Sequence, residues 1–197
     1  MASTAAPYGL IPIRRLGSGP NSTGVTHYKI ASAYGTSIFY GDLVKLHTDG
    51  TLIKETAVGT NAAPASPIGV FLGCQYTDAT MGFITRQYWP TGTVAADAVA
   101  LVCDDPQAVF KIQASGAISR AEGVGANIAL VQTAGSTTTG KSAVAADAAT
   151  EATTATVLLK IIGFDTAPDN SESDTYPDLH VMINTHAYGG GTTAVNG

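Results

Sequence analysis

The sequence predicts a mainly β protein: an antiparallel β-sandwich or barrel forming one domain over residues 25–197, preceded by an extended N-terminal arm over residues 1–24. Three observations lead there. Short apolar runs recur along the chain, each bounded by Gly, Pro, Asp or Asn. No stretch carries the 3.6-residue period of a long amphipathic helix. The first segment holds Pro7, Gly9, Pro12, Gly17, Gly19, Pro20 and Gly24, which prevent a regular helix and leave too few apolar residues for a core.

The arm carries Tyr8, Leu10, Ile11, Ile13 and Leu16 together with the basic pair Arg14-Arg15. Such a segment is expected to lie against its own domain or a neighbouring subunit. From Thr26 the strands begin. "HYKIA" leads into "SIFYGDLVKLH", and "TDG" (Thr48 to Gly50) reads as a tight turn into "TLIK", which predicts a hairpin. "TAVGTNAAPASP" is a loop by composition. "IGVFLGCQY" places Ile68, Val70, Leu72, Cys74 and Tyr76 on one face. Gly69 and Gly73 on the other face allow another backbone to approach closely. "GFITRQYWP", "AVALVCDD", "AVFKIQ", "NIALVQT", "TVLLKIIGF" and "LHVMIN" complete the strand set, and one short helix is expected in the Ala-rich "SAVAADAATEATTA" after Lys141. No repeat of fixed period is present.

Composition narrows the function. Of 197 residues, 45% are hydrophobic but only 13% charged, about half the usual share of roughly 25%. Much of the surface must then be Gly, Ala, Ser and Thr, which suits a protein covered by partners. With ten Lys and Arg and a net charge of -5, no nucleic-acid binding is expected. The N-terminus lacks the apolar core of a signal peptide and no run is long enough for a membrane span, so synthesis in a cytoplasm and no membrane partner are expected. Cys74 and Cys103 sit in apolar runs and read as buried, reduced thiols; whether their strands are neighbours, and so whether they pair, is left open. Asn21-Ser22-Thr23 is a glycosylation sequon with no secretory signal to give it meaning.

One stretch argues for chemistry. Gly135 to Ser142 reads G-x-x-x-x-G-K-S, the pattern of a phosphate-binding P-loop, with "NIALVQT" as a possible preceding strand and "VLLKIIGFD" imitating a strand ending in a magnesium-binding Asp. Against it, the preceding chain reads as strand after strand rather than alternating strand and helix. The β-branched Thr137, Thr138 and Thr139 also resist the positive φ of an anion nest. A solvent-exposed turn is the plainer reading. His27, His47, His180 and His186 lack zinc-site spacing. The acidic loop holding Asp165, Asp169, Glu172, Asp174 and Asp178 does not match an EF-hand register and reads as solvated. No nucleophile is paired with a base, so no enzyme activity, cofactor or metal is expected. Trp89 in "QYWPTG" is a candidate interface residue.

Several segments together resemble small virion structural proteins of tailed bacteriophages. They are "APYGLIPIRRLGSG", "YGDLVKL..DGTL", "PIGVFLGCQY", "WPTGT", "CDDPQAVFKIQ", "GANIALV", "TTGKS", "LLKIIGFDTAPDN" and "HVMINTHAYGGG". The "DLVKL..DGT" run is also similar to the decoration proteins of lambdoid phages. The resemblance implies no enzymatic activity. It implies a capsid decoration, or cement, protein: a homotrimer on the outer capsid surface that holds neighbouring capsomers of the major capsid protein together. Relatives often carry Thr-Gly-x-Ser where this chain has "TTGKS", which makes Lys141 incidental. On this reading Tyr8, Leu10, Ile11, Ile13, Arg14 and Arg15 are arm contacts, with the arginines facing carboxylates on the shell, and removing residues 1–16 weakens capsid binding while leaving the fold intact. The competing readings are another virion component, in the tail or as a glycan-binding surface module, and an NTP-dependent enzyme.

Overall fold

The computed structural model describes residues 4–17 and 24–189. In chain order the strands are β1 (Ile11–Arg15), β2 (Thr26–Lys29), β3 (Leu43–Leu46), β4 (Leu52–Lys54), β5 (Gly69–Asp78), β6 (Gly82–Arg86), β7 (Val99–Cys103) and β8 (Ala108–Gln113). After one helical turn, α1 (Arg120–Gly123), come β9 (Asn127–Ile128), β10 (Leu130–Val131), β11 (Ala145–Ala146), β12 (Leu159–Phe164) and β13 (Asp178–Ile183). The first sheet runs β1-β8-β13-β12-β9, the second β2-β7-β5-β3-β4 with β6 added to β5, and β10-β11 form a ribbon. All the pairings between these strands are antiparallel, and the sheets do not close into a barrel, so the architecture is a β-sandwich.

Alternation along the strands builds two cores. Phe110, Ile112, Leu159, Ile161, Leu179 and Val181 point from the first sheet into one core, which Val70, Leu43 and Cys103 close from the second sheet. The opposite face of the second sheet carries Phe71, Cys74, Tyr76, Ala100 and Val102. These are covered by Ile30, Ile38 and Trp89 from the flanking loops. A sheet buried on both faces needs apolar residues at consecutive positions, which is why "GVFLGC" and "VALVC" read as unbroken runs.

This corrects the expected single face of β5. Pairing with β7 shifts register between Phe71 and Gly73, and the extra residue turns the strand over. Val70 and Leu72 therefore serve the first core, Phe71, Cys74 and Tyr76 the second. The glycines do admit neighbouring backbone: a Cβ on Gly69 would collide with the Cys103 carbonyl, and one on Gly73 would lie 3.0 Å from the Arg86 carbonyl oxygen. Cys74 and Cys103 are not joined in a disulfide, and they face different cores.

The expected hairpin across "TDG" is present, β3 pairing with β4. The helix expected after Lys141 is not. There, Ala145 and Ala146 pair with β10, followed by a single 3-10 turn over Ala148–Thr150. The backbone is committed elsewhere, since Gly9 N–H donates to the Val144 carbonyl (3.1 Å) and Ser115 N–H to that of Ala146 (2.7 Å). Tertiary partners override the modest helix propensity of an Ala/Thr mixture.

Candidate interaction surfaces

Of the expected arm, residues 4–17 are described, and they are extended but built into the domain. Ala6 N–H donates to Gln113 Oε1 (2.7 Å), and Gln113 Nε2 donates to the Thr4 carbonyl (3.1 Å). Tyr8 O–H donates to Asp178 Oδ1 (2.8 Å). At Gly9 the chain passes so close to two other segments that a Cβ would lie 2.6 Å from Ser142 Cβ and 2.7 Å from the Gly41 carbonyl oxygen; φ is +77°. Only glycine fits that crossing. Leu10 follows directly, fully buried in the first core, and β1 then pairs with β8.

The candidate contact residues therefore divide. Leu10 is withdrawn from any surface, contrary to its expected role as an arm contact, because the first sheet needs it to seal its core. Arg15 is paired in its own chain, Nε lying 2.9 Å from Asp105 Oδ2. Tyr8, Ile11 and Arg14 are half-buried. Ile13 is 38% exposed because it is the extra residue of a bulge between Pro12 and Arg14, and Leu16 is equally exposed. Pro12 lacks an N–H and the bulge breaks the ladder, so the outer edge of β1 is a poor template for another strand. Contacts from this edge are made by side chains.

Trp89, the other candidate, is also a correction. It is fully buried, its ring meets Tyr76 edge-on at 5.4 Å, and its Nε1–H donates to the Tyr34 carbonyl (3.3 Å). The indole is the anchor of the second core. The exposed apolar residues lie elsewhere. Phe83 is 68% exposed and Met81 58%, both at the end of the β5–β6 hairpin. Val94, 76% exposed, precedes Asp97, whose carboxylate accepts from Thr77, the residue opposite Phe83. Residue composition alone could not single these out, because their exposure depends on the hairpin running past the end of β7.

The P-loop pattern folds as a turn. Ser136 N–H donates to the Lys141 carbonyl (2.9 Å) and Gly140 N–H to that of Ser136 (2.8 Å). No helix follows, so no helix terminus faces the loop. Lys141 is exposed, whereas Ser142 is buried and its hydroxyl donates to Asp42 Oδ1 (2.7 Å). Asp42, fully buried, also accepts from Phe39 N–H (2.9 Å) and pairs with Lys54 Nζ (2.8 Å). The serine of the motif is thus part of a buried ionic network, and a Mg²⁺-ligand role is closed to it in this arrangement.

In the acidic loop, Asp165 and Asp178 both pair with Lys111, and His180 Nε2 lies 3.4 Å from Asp165. Burial acts to raise the Asp165 carboxyl, but the Lys111 hydrogen bond and charge outweigh it and hold the group below its ordinary range. Burial beside Asp178 pushes the Tyr8 phenol far up, so it stays a neutral donor. Glu172 pairs with Arg120, and Asp174 accepts from Ser171 N–H. Among the described residues no group of His, Cys, Asp and Glu is arranged to hold a metal ion, and no helix is long and apolar enough to cross a membrane.

No family model, curated protein or solved structure matches this chain.

Proposed function

We propose that the protein is a non-enzymatic structural component of a phage virion: a capsid decoration protein that assembles as a homotrimer on the outer capsid surface and stabilises the shell of the major capsid protein. The observation that carries this reading is where the exposed apolar side chains sit. Phe83, Met81 and Val94 project at one end of the second sheet, and Ile13 and Leu16 from the edge of the first, in a chain with only 13% charged residues. Apolar groups of this size stabilise an interface by about 1.5–3 kcal/mol each when fully buried. Repeated over many copies, modest contacts become strong attachment, since each docked contact raises the effective concentration of the next.

The segmental resemblance supports the same reading, and the structure explains what several of its motifs do. "APYGLIPIRR" supplies the Gly9 crossing, the buried Leu10 and the edge strand β1, and "CDDPQAVFKIQ" supplies β8 beside it.

The test is the copy number of this protein in purified particles, measured by quantitative mass spectrometry against the major shell protein. A ratio near one-to-one is expected. A few copies per particle would instead assign it to the tail or a vertex, and its absence would refute a virion role. Phe83→Asp and Ile13→Asp should keep the fold while lowering occupancy on particles.

A further inference from the structure

A surface cavity among the described residues is lined by acidic, basic and aromatic side chains. It lies where the end of β1, the turn before β8 and the segment after β13 meet, and has a volume of about 490 Å³. That falls within the roughly 300–1,000 Å³ of small-ligand sites. Its polar lining comes from Arg15, Asp105, Gln107, Asn184 and His186, and Tyr188 adds an aromatic ring.

The lining limits what can bind. Arg15 and Asp105 neutralise one another across 2.9 Å, so an anion or a cation entering the cavity would be desolvated without an unpaired counter-charge. His186 is 5% exposed and held neutral by burial, although Asp104 and Asp105 act the other way. Its Nδ1 accepts from Tyr188 N–H (3.1 Å), which leaves the proton on Nε2, a buried atom turned toward the Ile68 carbonyl. The amide of Asn184 uses its NH₂ on the Ala155 and Val157 carbonyls (2.7 and 3.0 Å), leaving its oxygen as an acceptor. A wholly apolar ligand would strand the Asn184 oxygen and the exposed Gln107 amide.

What remains is a neutral ligand with both donors and acceptors and an apolar face. Tyr188 is 43% exposed, and its position is fixed at two points: the backbone bond to His186, and a contact between its hydroxyl and that of Tyr28, which itself donates to Asp104 (2.7 Å). A ring held this way offers a face for the C–H side of a sugar, while the planar amide, carboxylate and guanidinium groups meet its hydroxyls. We infer that this cavity is a binding site for a neutral saccharide, with Tyr188 as the stacking platform and Gln107, Asn184, Asp105 and Arg15 as hydroxyl partners.

The experiment is saturation-transfer-difference NMR on the full chain with methyl glucoside, methyl galactoside, N-acetylglucosamine and maltotriose, each at millimolar concentration. At least one probe should receive saturation at its ring protons. Tyr188→Ala and Gln107→Ala, both surface changes, should weaken its binding about tenfold or more, while Phe83→Ala, outside the cavity, leaves it unchanged. Tighter binding of maltotriose than of the single sugars would identify a polysaccharide as the source, and equal binding a free sugar; either supports the site. No transfer to any probe, transfer that survives both cavity variants, or loss of the transfer when inorganic phosphate is added at equal concentration would overturn it. None of these outcomes bears on the copy number in particles, so the two proposals fail separately.

Discussion

Replacing Lys54 by Met isolates the buried network that ties the P-loop-like turn to the second sheet. Met keeps most of the length and apolar stem of Lys and removes only the ammonium. Lys54 is 11% exposed and its partner Asp42 fully buried, so the carboxylate would be left in the interior with two neutral donors, Phe39 N–H and Ser142 O–H. Breaking a buried pair from one side costs about 3–5 kcal/mol. For a chain of this length, 3 kcal/mol corresponds to a fall in Tm of about 6–12 °C. The companion change, Asp42→Asn, removes the stranded charge. The Asn oxygen can accept from Phe39 N–H, and its NH₂ can donate to Ser142, whose hydroxyl reverses its role. The double variant Asp42→Asn/Lys54→Met should therefore recover much of the loss, with a coupling energy of about 1–3 kcal/mol. Urea unfolding followed by tryptophan fluorescence reads all four corners of the cycle, since Trp89 sits in the adjoining core. Lys141→Ala is the control and should shift stability by less than about 0.5 kcal/mol, because Lys141 is exposed. A loss below about 1 kcal/mol for Lys54→Met, or a double variant no better than the sum of the singles, would refute the network.

Leu10→Ala should cost about 2–5 kcal/mol by leaving a cavity in the first core, and removal of residues 1–16 should cost more, contrary to the expectation that the fold survives it, because Leu10 is buried and β1 pairs with β8; a truncated chain that melts with the full one would contradict the placement of Leu10. Asp165 has a folded pKa below its unfolded value, so its contribution is present above that unfolded value, near 3.8, and is lost as pH falls through the depressed folded one. Stability measured from about pH 5 down to pH 2 should consequently fall more steeply in the native chain than in Asp165→Asn, and parallel curves would count against the Lys111 pairing. Burial pushes the Cys74 thiol up to about 12, and Cys103 is equally inaccessible, so neither should react with a thiol reagent until the chain is unfolded. Fast labelling of the native protein at either position would show that a core opens.

Much of the strand set follows from local sequence. Apolar runs ended by Gly, Pro, Asp and Asn suffice to mark β3 through β8 and β12 and β13, because strand burial and turn geometry are short-range demands on residue type. The "TDG" hairpin is legible for the same reason. Other features depend on partners distant in the chain. Ile11 to Arg15 reads as an arm because Pro12 and the flanking glycines break every local pattern. It becomes a strand only because β8 offers it a ladder and Gly9 lets it pass Ser142 and Gly41. Trp89 and Leu10 look like surface anchors in sequence and are core residues in space, since burial is set by what folds over them. The bulge in β5 reverses half a strand without leaving a mark in the periodicity. The site candidates are the least legible of all. Arg15, Asp105, Asn184 and Tyr188 are spread across most of the chain and converge only where β1 and β13 end and β8 begins, so no spacing rule could have grouped them. Local residue type determined which segments became strands, and long-range pairing decided which side chains face one another.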